Sequence, residues 1–254
     1  MGAFFYDVQK GMLGLNNYIC LMKHYFSFIC FLVFGPFLFG QNTVPDTLNV
    51  DNKYREDQFY ISVTYNLLGT KLEGVSQNGF SAGFHVGFIR DMPINLQRDL
   101  AVGLGFGISS NSYNQNLLIS KDANGMIEFS LLDKDVTDFK RNKFTTYLLE
   151  LPLEFRWRTS TAIEYNFWRI YAGFKLSYLL YNSSKFKGSD EDIKLSNIDD
   201  FNEFQYGITV SAGYSNINIH FYYALNDIFK KGATLNGQPI GMNAIKIGLI
   251  YYIL

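Results

Sequence analysis

Between Leu148 and Arg158 the chain reads LLELPLEFRWR, and apolar and charged residues take turns along it. Leu149, Leu151, Leu153, Phe155 and Trp157 share one parity, and Glu150, Glu154, Arg156 and Arg158 share the other. Successive side chains of a β-strand point to opposite faces, so this stretch predicts a strand whose two faces meet different surroundings.

Seven further segments repeat the pattern. The first sets Phe59, Ile61, Val63, Tyr65 and Leu67 against Tyr60, Ser62, Thr64 and Asn66. The second sets Phe80, Ala82, Phe84, Val86 and Phe88 against Ser81, Gly83, His85 and Gly87. The third alternates Leu100 to Ile108 with Ala101, Ser109 and a run of glycines. Past the 148–158 strand, the fifth sets Ile170, Ala172, Phe174, Leu176, Tyr178 and Leu180 against Tyr171, Gly173, Lys175, Ser177 and Tyr181. The sixth begins at Phe204, the seventh at Asn216 with His220 on its polar face, and the last at Ile245 with Lys246 on its polar face. No amphipathic helical period interrupts them after the amino-terminal region.

Segments of about 9 to 15 residues suit tilted strands that cross a bilayer. The apolar faces are nearly free of charge, and aromatics recur near their ends: Phe59 and Tyr65, Tyr147 and Trp157, Phe204 and Tyr214. Connections alternate in length. Those over 68–78, 111–142, 182–203 and 227–242 are long, and those between are short, down to Ser215-Asn216. Outer-membrane barrels combine such aromatic girdles with short periplasmic turns and long external loops. The predicted fold is therefore all-β: an eight-stranded antiparallel up-and-down transmembrane β-barrel over 58–254. A soluble ligand barrel of the lipocalin type would reverse the polarity. Its outer face would carry many Lys and Glu, whereas the polar faces here carry Gly, Ser, Thr and Tyr.

Met22 to Gln41 has the parts of a secretory signal peptide: Lys23 at its start, an apolar run from Phe26 to Phe39 and a small residue near its end. The run is too short for a spanning helix, which needs about 20 residues. Residues 1–21 read as a mis-annotated extension and 42–57 as a periplasmic leader. Both cysteines, Cys20 and Cys30, precede residue 41, so the mature chain is expected to hold no disulfide, zinc site or thiol nucleophile. With Lys plus Arg at 22 and Asp plus Glu at 23, no basic excess exists for binding nucleic acid.

An eight-stranded barrel leaves a lumen that its own side chains roughly fill. Glu150, Glu154, Arg156, Arg158, Lys175, His220 and Lys246 are assigned to it as an interior polar cluster. The structural reading is a plug in which opposite charges satisfy one another. The sharper reading is a narrow ion path. Catalysis would need His85 or His220 to meet Ser81 or Ser211 across strands, and a hydrogen-bonded interior histidine is the favoured account. The loop acids Asp133, Asp135, Asp190, Glu191, Asp192, Asp199 and Asp200 lack EF-hand spacing and read as solvated charge. GLGFG, from Gly103 to Gly107, precedes no helical pattern and is not a phosphate loop. Neither an enzyme nor a cofactor is expected.

YREDQFYISVTYNLL (from Tyr54), YLLELPLEFRWR (from Tyr147), GFKLSYLL (from Gly173) and YALNDIF (from Tyr223) together resemble the PorT-like outer-membrane barrel family. The resemblance covers about residues 54 to 254. It implies an eight-stranded barrel in the outer membrane and an accessory role in type IX protein secretion to the cell surface. The implied partners are outer-membrane lipid and other envelope proteins of that secretion system. A small porin-like channel or a structural envelope barrel is the alternative.

Overall fold

The computed structural model describes residues 57–77, 79–133, 138–159, 167–189 and 191–253. The expected extension, signal peptide and most of the leader lie outside these residues, as do both cysteines.

Among the described residues thirteen strands follow one another: β1 (Gln58–Gly69), β2 (Ala82–Pro93), β3 (Leu100–Asn114), β4 (Leu117–Lys121), β5 (Ile127–Leu131), β6 (Phe139–Arg158), β7 (Trp168–Gly188), β8 (Asp192–Ser196), β9 (Phe204–Tyr214), β10 (Ile217–Asp227), β11 (Thr234–Leu235), β12 (Gln238–Pro239) and β13 (Asn243–Ile253). Nine of them share one sheet; eight, in the order β6-β3-β2-β1-β13-β10-β9-β7, close into a barrel through the β6–β7 pairing, and β8 adds to the outer part of β7. Every pairing is antiparallel. The expected eight-stranded barrel is thus present, and each of its eight strands pairs on both sides.

The registers fix its girth. Partners followed from Leu67 lead through Ile245, Tyr223, Ile208, Phe174, Leu153 and Leu104 to Arg90. Arg90 is one position past the Ile89–Gln58 pair, so the path re-enters β1 beside Asp57, ten residues from its start. With ~3.3 Å per residue and ~4.8 Å between strands, that stagger over eight strands tilts them by roughly 40°. Such a barrel is just wide enough for side chains to fill.

Burial alternates as the sequence parity predicts. On β6, Leu149, Leu151, Leu153, Phe155 and Trp157 face outward while Glu150, Pro152, Glu154, Arg156 and Arg158 are buried. Outward aromatics pair across strands near both ends of the apolar band: Tyr65 with Phe80, Tyr147 with Tyr181 and Tyr178 with Phe204 at one, Trp168 with Tyr214 at the other. The short turns at 94–99 and 215–216 and both barrel termini share one end, and the long connections share the opposite end.

One expectation at the residue level fails. Tyr181, assigned to the interior, faces outward. The β6–β7 register shifts between the Tyr147–Tyr181 and Leu148–Leu179 pairs, so β7 carries an extra residue there and its parity reverses beyond it. Asn182, Ser184 and Phe186 then point inward. Pro152 falls on the interior parity and lacks a ladder donor, so a bulge or local distortion is expected there. The distortion takes the milder form: the β3–β6 pairing lapses opposite Gly105 and Phe106 and resumes in the same register, and Pro152 stays paired with Lys175.

The long connections are largely folded. β6 has 20 residues, which at ~3.3 Å each and a ~40° tilt spans roughly 50 Å, about twice the ~25 Å apolar band. β6 and β7 therefore stand well clear of the membrane at the long-loop end. β8 pairs with the protruding part of β7, and β4–β5 and β11–β12 form hairpins. Asparagines hold these pieces. Asn142 Nδ2 donates to the carbonyls of Gln115 and Leu117, Asn182 brackets Ile198 through its N–H and its carbonyl, and Asn202 Nδ2 donates to the carbonyls of Asp227 and Phe229. Beneath them Phe144, Phe201 and Phe229 pack with centroids 4.6 to 5.5 Å apart, joined by Leu117, Ile119, Ile228 and Met242. An apolar cap sits over that mouth of the barrel.

Candidate functional site: the charged lumen

All seven residues assigned to the interior cluster are buried inside the barrel, and the structure sorts them into two layers. The layer nearer the cap centres on Glu150. Its Oε1 lies 3.0 Å from His85 Nδ1 and its Oε2 accepts from Lys175 Nζ at 3.1 Å. His85 Nε2 is 3.3 Å from Thr64 Oγ1. Lys246 Nζ lies 4.9 Å from the centre of the Tyr222 ring, which Lys175 also approaches, at 5.8 Å. His220 Nδ1 is 2.8 Å from Ser211 Oγ.

The second layer lies toward the short-turn end. Arg156 bridges two carboxylates, with Nε donating to Glu154 Oε2 at 3.0 Å and Nη1 to Asp91 Oδ1 at 3.1 Å. Arg158 Nη1 approaches the other oxygen of Asp91 to 2.8 Å, an ion pair without hydrogen-bond alignment, while its Nε donates to the Arg98 carbonyl. The Arg156 guanidinium lies 4.5 Å over the Tyr171 ring. Tyr60, Ile89, Tyr171, Ile250 and Tyr252 form an apolar and aromatic collar in the lumen.

Glycines on the inward faces of β2 and β3 make this packing possible. A Cβ on Gly107 would strike Tyr60 Oη, and one on Gly103 would come within 2.6 Å of Arg156 Nε. The large interior side chains lie flat against strands that have no side chain of their own at those positions.

Sequence parity placed Tyr60, Tyr171 and Tyr252 inside but missed Asp91, Arg169 and the two isoleucines of the collar, Ile89 and Ile250. The alternation of the second segment stops at Phe88, since Ile89 puts an apolar residue on the polar parity. β2 in fact continues to Pro93, and continued parity would have placed Asp91 beside the arginines. The Ser211–His220 contact is the one serine–histidine pair among the candidates. Ser81 Oγ instead accepts the Asn114 N–H. Both members of the pair are buried, and the only carboxylate that hydrogen-bonds a histidine among the described residues, Glu150, bonds His85. Among the described residues no three His, Cys, Asp or Glu come together as metal ligands.

A closed barrel with an apolar belt outside, paired charges inside and long loops at one end is an integral outer-membrane β-barrel protein. A family model described as outer membrane protein beta-barrel domain matches residues 39–230, and the chain belongs to that family. The match stops before β13, the strand that joins β1 to β10. No curated protein matches the chain. Among solved structures, it is similar to the attachment invasion locus protein Ail of Yersinia pestis in complex with the heparin analogue sucrose octasulfate, at 14% identity over 78% of this chain and 99% of that one, with a TM-score of 0.35. It is also similar to a triple mutant of the Rhodopseudomonas blastica porin, at 6% identity over 79% of this chain and 100% of that one, with a TM-score of 0.20.

Proposed function

We propose that this protein is a closed, non-enzymatic outer-membrane barrel that acts through its surfaces, as an accessory that organises partners for protein export to the cell surface. The observation that carries this reading is the apolar cap over the lumen, around Phe144, Phe201 and Phe229. Below it, ion-paired Glu150, Lys175, Arg156 and Asp91 occupy the bore. An apolar cap and ion-paired side chains both oppose the passage of water and ions, which leaves the loops and the periplasmic face as the working surfaces. The PorT-like resemblance supplies the secretion role. Deletion of the gene tests it. The expected result is loss of many surface and secreted proteins, with precursors held in the periplasm; an unchanged protein profile overturns the secretion role.

The porin-like alternative draws on one observation. Among the described buried residues, Arg156, Arg158, Arg169, Lys175 and Lys246 outnumber Asp91, Glu150 and Glu154, as in a lumen that passes anions. The full-length protein in a planar bilayer decides between the two. The closed-barrel reading expects no channel events, and steady anion-selective conductance would overturn it.

A further inference from the structure

A second charged feature lies outside the lumen. Beyond the Tyr147–Tyr181 pair, the outward faces of β6 and β7 carry cations directly opposite one another. Lys143 pairs in register with Lys185, Lys185 with Lys194 on β8, and Arg141 with Lys187. Like charges directly opposite each other on a sheet are destabilising. Only Lys187 has a carboxylate across from it, Asp192. Among the described residues Arg141, Lys143 and Lys185 make no ion pair. A bound anion would relieve this repulsion.

The shape beside these cations says which anion. A groove of about 420 Å³ runs along the outer face here, with Arg141, Lys143 and Lys185 at the top and Phe80, Phe84 and Tyr147 at the bottom. Ala82, Ser110 and Ser112 form its floor, because their small side chains leave room there. It shares Phe84, Ser110 and Tyr147 with a second groove, of about 320 Å³, lined further down by Val86, Ile108 and Leu180. That one shares Val86 and Ile108 with a third, of about 540 Å³, against Phe59 and Phe106. A cationic slot above the aromatic girdle thus leads into an apolar track down the lipid face.

We propose that this track holds a phosphorylated glycolipid of the outer leaflet, with its phosphate on Arg141, Lys143 and Lys185 and an acyl chain along Phe84, Val86 and Ile108. The inference rests on the outer-membrane placement, which puts the long-loop end outside. It is independent of the secretion role. The bulge in β7 is what makes the site. Without the parity reversal at Tyr181, Lys185 would point into the barrel and Ser184 would face the membrane surface.

The test uses full-length protein in zwitterionic mixed micelles, with diphosphoryl lipid A as the probe. Saturable binding is expected, weakened roughly thirtyfold in the K143S/K185S double variant, at about a factor of five per surface cation. The dephosphorylated lipid should bind similarly weakly, and millimolar inorganic phosphate should not displace the bound lipid. Ser112→Trp, which fills the groove and leaves every cation in place, should also block binding. Heat-modifiable gel mobility verifies that each variant is folded. Parent-like binding by the folded double variant, or equal binding of the dephosphorylated lipid, overturns the proposal. Displacement by inorganic phosphate overturns it too, and leaves a site for free anions. None of these outcomes bears on conductance or on export, so the closed-barrel reading stands or falls separately.

Discussion

Asp91 shows how much one buried carboxylate holds. It faces both Arg156 and Arg158, whereas among the described residues Glu154 ion-pairs with Arg156. Removing one partner of a buried ion pair leaves an uncompensated charge, at about 3–5 kcal/mol. Asp91→Asn is expected to destabilise the barrel by that much, and more than Glu154→Gln, read as a lower urea midpoint for refolded protein in micelles. An equal or smaller loss for Asp91→Asn would contradict the shared-pair account. Gly107 makes the complementary point about space. Any side chain there meets Tyr60 Oη and the Val86 carbonyl, so Gly107→Val should cost about 1–3 kcal/mol by overpacking. Of these residues the glycines and the arginines were legible from alternation. Asp91 was not, because Ile89 breaks the polar parity before it. The collar's tyrosines fit the alternation, but Ile89 and Ile250 put apolar residues inside the barrel, and a two-colour pattern cannot express that.

Along an element, everything follows from a period of two. A one-residue insertion between Leu151 and Pro152 moves one half of β6 to the opposite parity and turns charged side chains toward lipid. The barrel should then fail to acquire its heat-modifiable, compact form on gels. Deleting Leu180 should be tolerated, since it removes only the extra residue of the bulge and leaves pairing intact on both sides. If both changes abolish folding alike, register is not what the bulge governs. The β4–β5 hairpin has its own local control. Asp122 Oδ1 accepts the N–H groups of Met126 and Asn124, and these bonds hold its carboxyl below the usual 3.8. A depressed folded value means that the stabilisation is present above the unfolded value and is lost as the pH falls through the folded one. Protection of the Met126 amide, relative to its intrinsic exchange rate, should therefore drop only at strongly acid pH.

The whole molecule has two parts that can be separated by experiment: a barrel fixed by closure, and a cap fixed by packing. Phe229 touches Phe129, Phe144 and Phe201 with centroids 4.6 to 5.6 Å away. Truncating a buried phenylalanine costs about 3–5 kcal/mol, and here that cost falls on the cap. Phe229→Ala should make the connections around β4, β5 and β8 sensitive to added protease while the barrel keeps its compact mobility. Loss of both at once would show that the cap and the barrel fold as one unit.

The sequence by itself determined the eight strands, which face of each meets lipid over the spanning part, and seven of the charged or titratable side chains that turn inward, though not Asp91 or Arg169. A side-chain period of two is local, and the bilayer imposes one polarity on every outward face. Only the tertiary structure decided which charges meet. Partners such as Asp91 and Arg156, or His85 and Glu150, lie 65 residues apart. They are brought together by the stagger of the closed sheet, a quantity that no single strand contains. The same holds for the cap and for the outward cations, because one extra residue in β7 reverses the parity of all that follows it, and that bulge is visible only in the pairing.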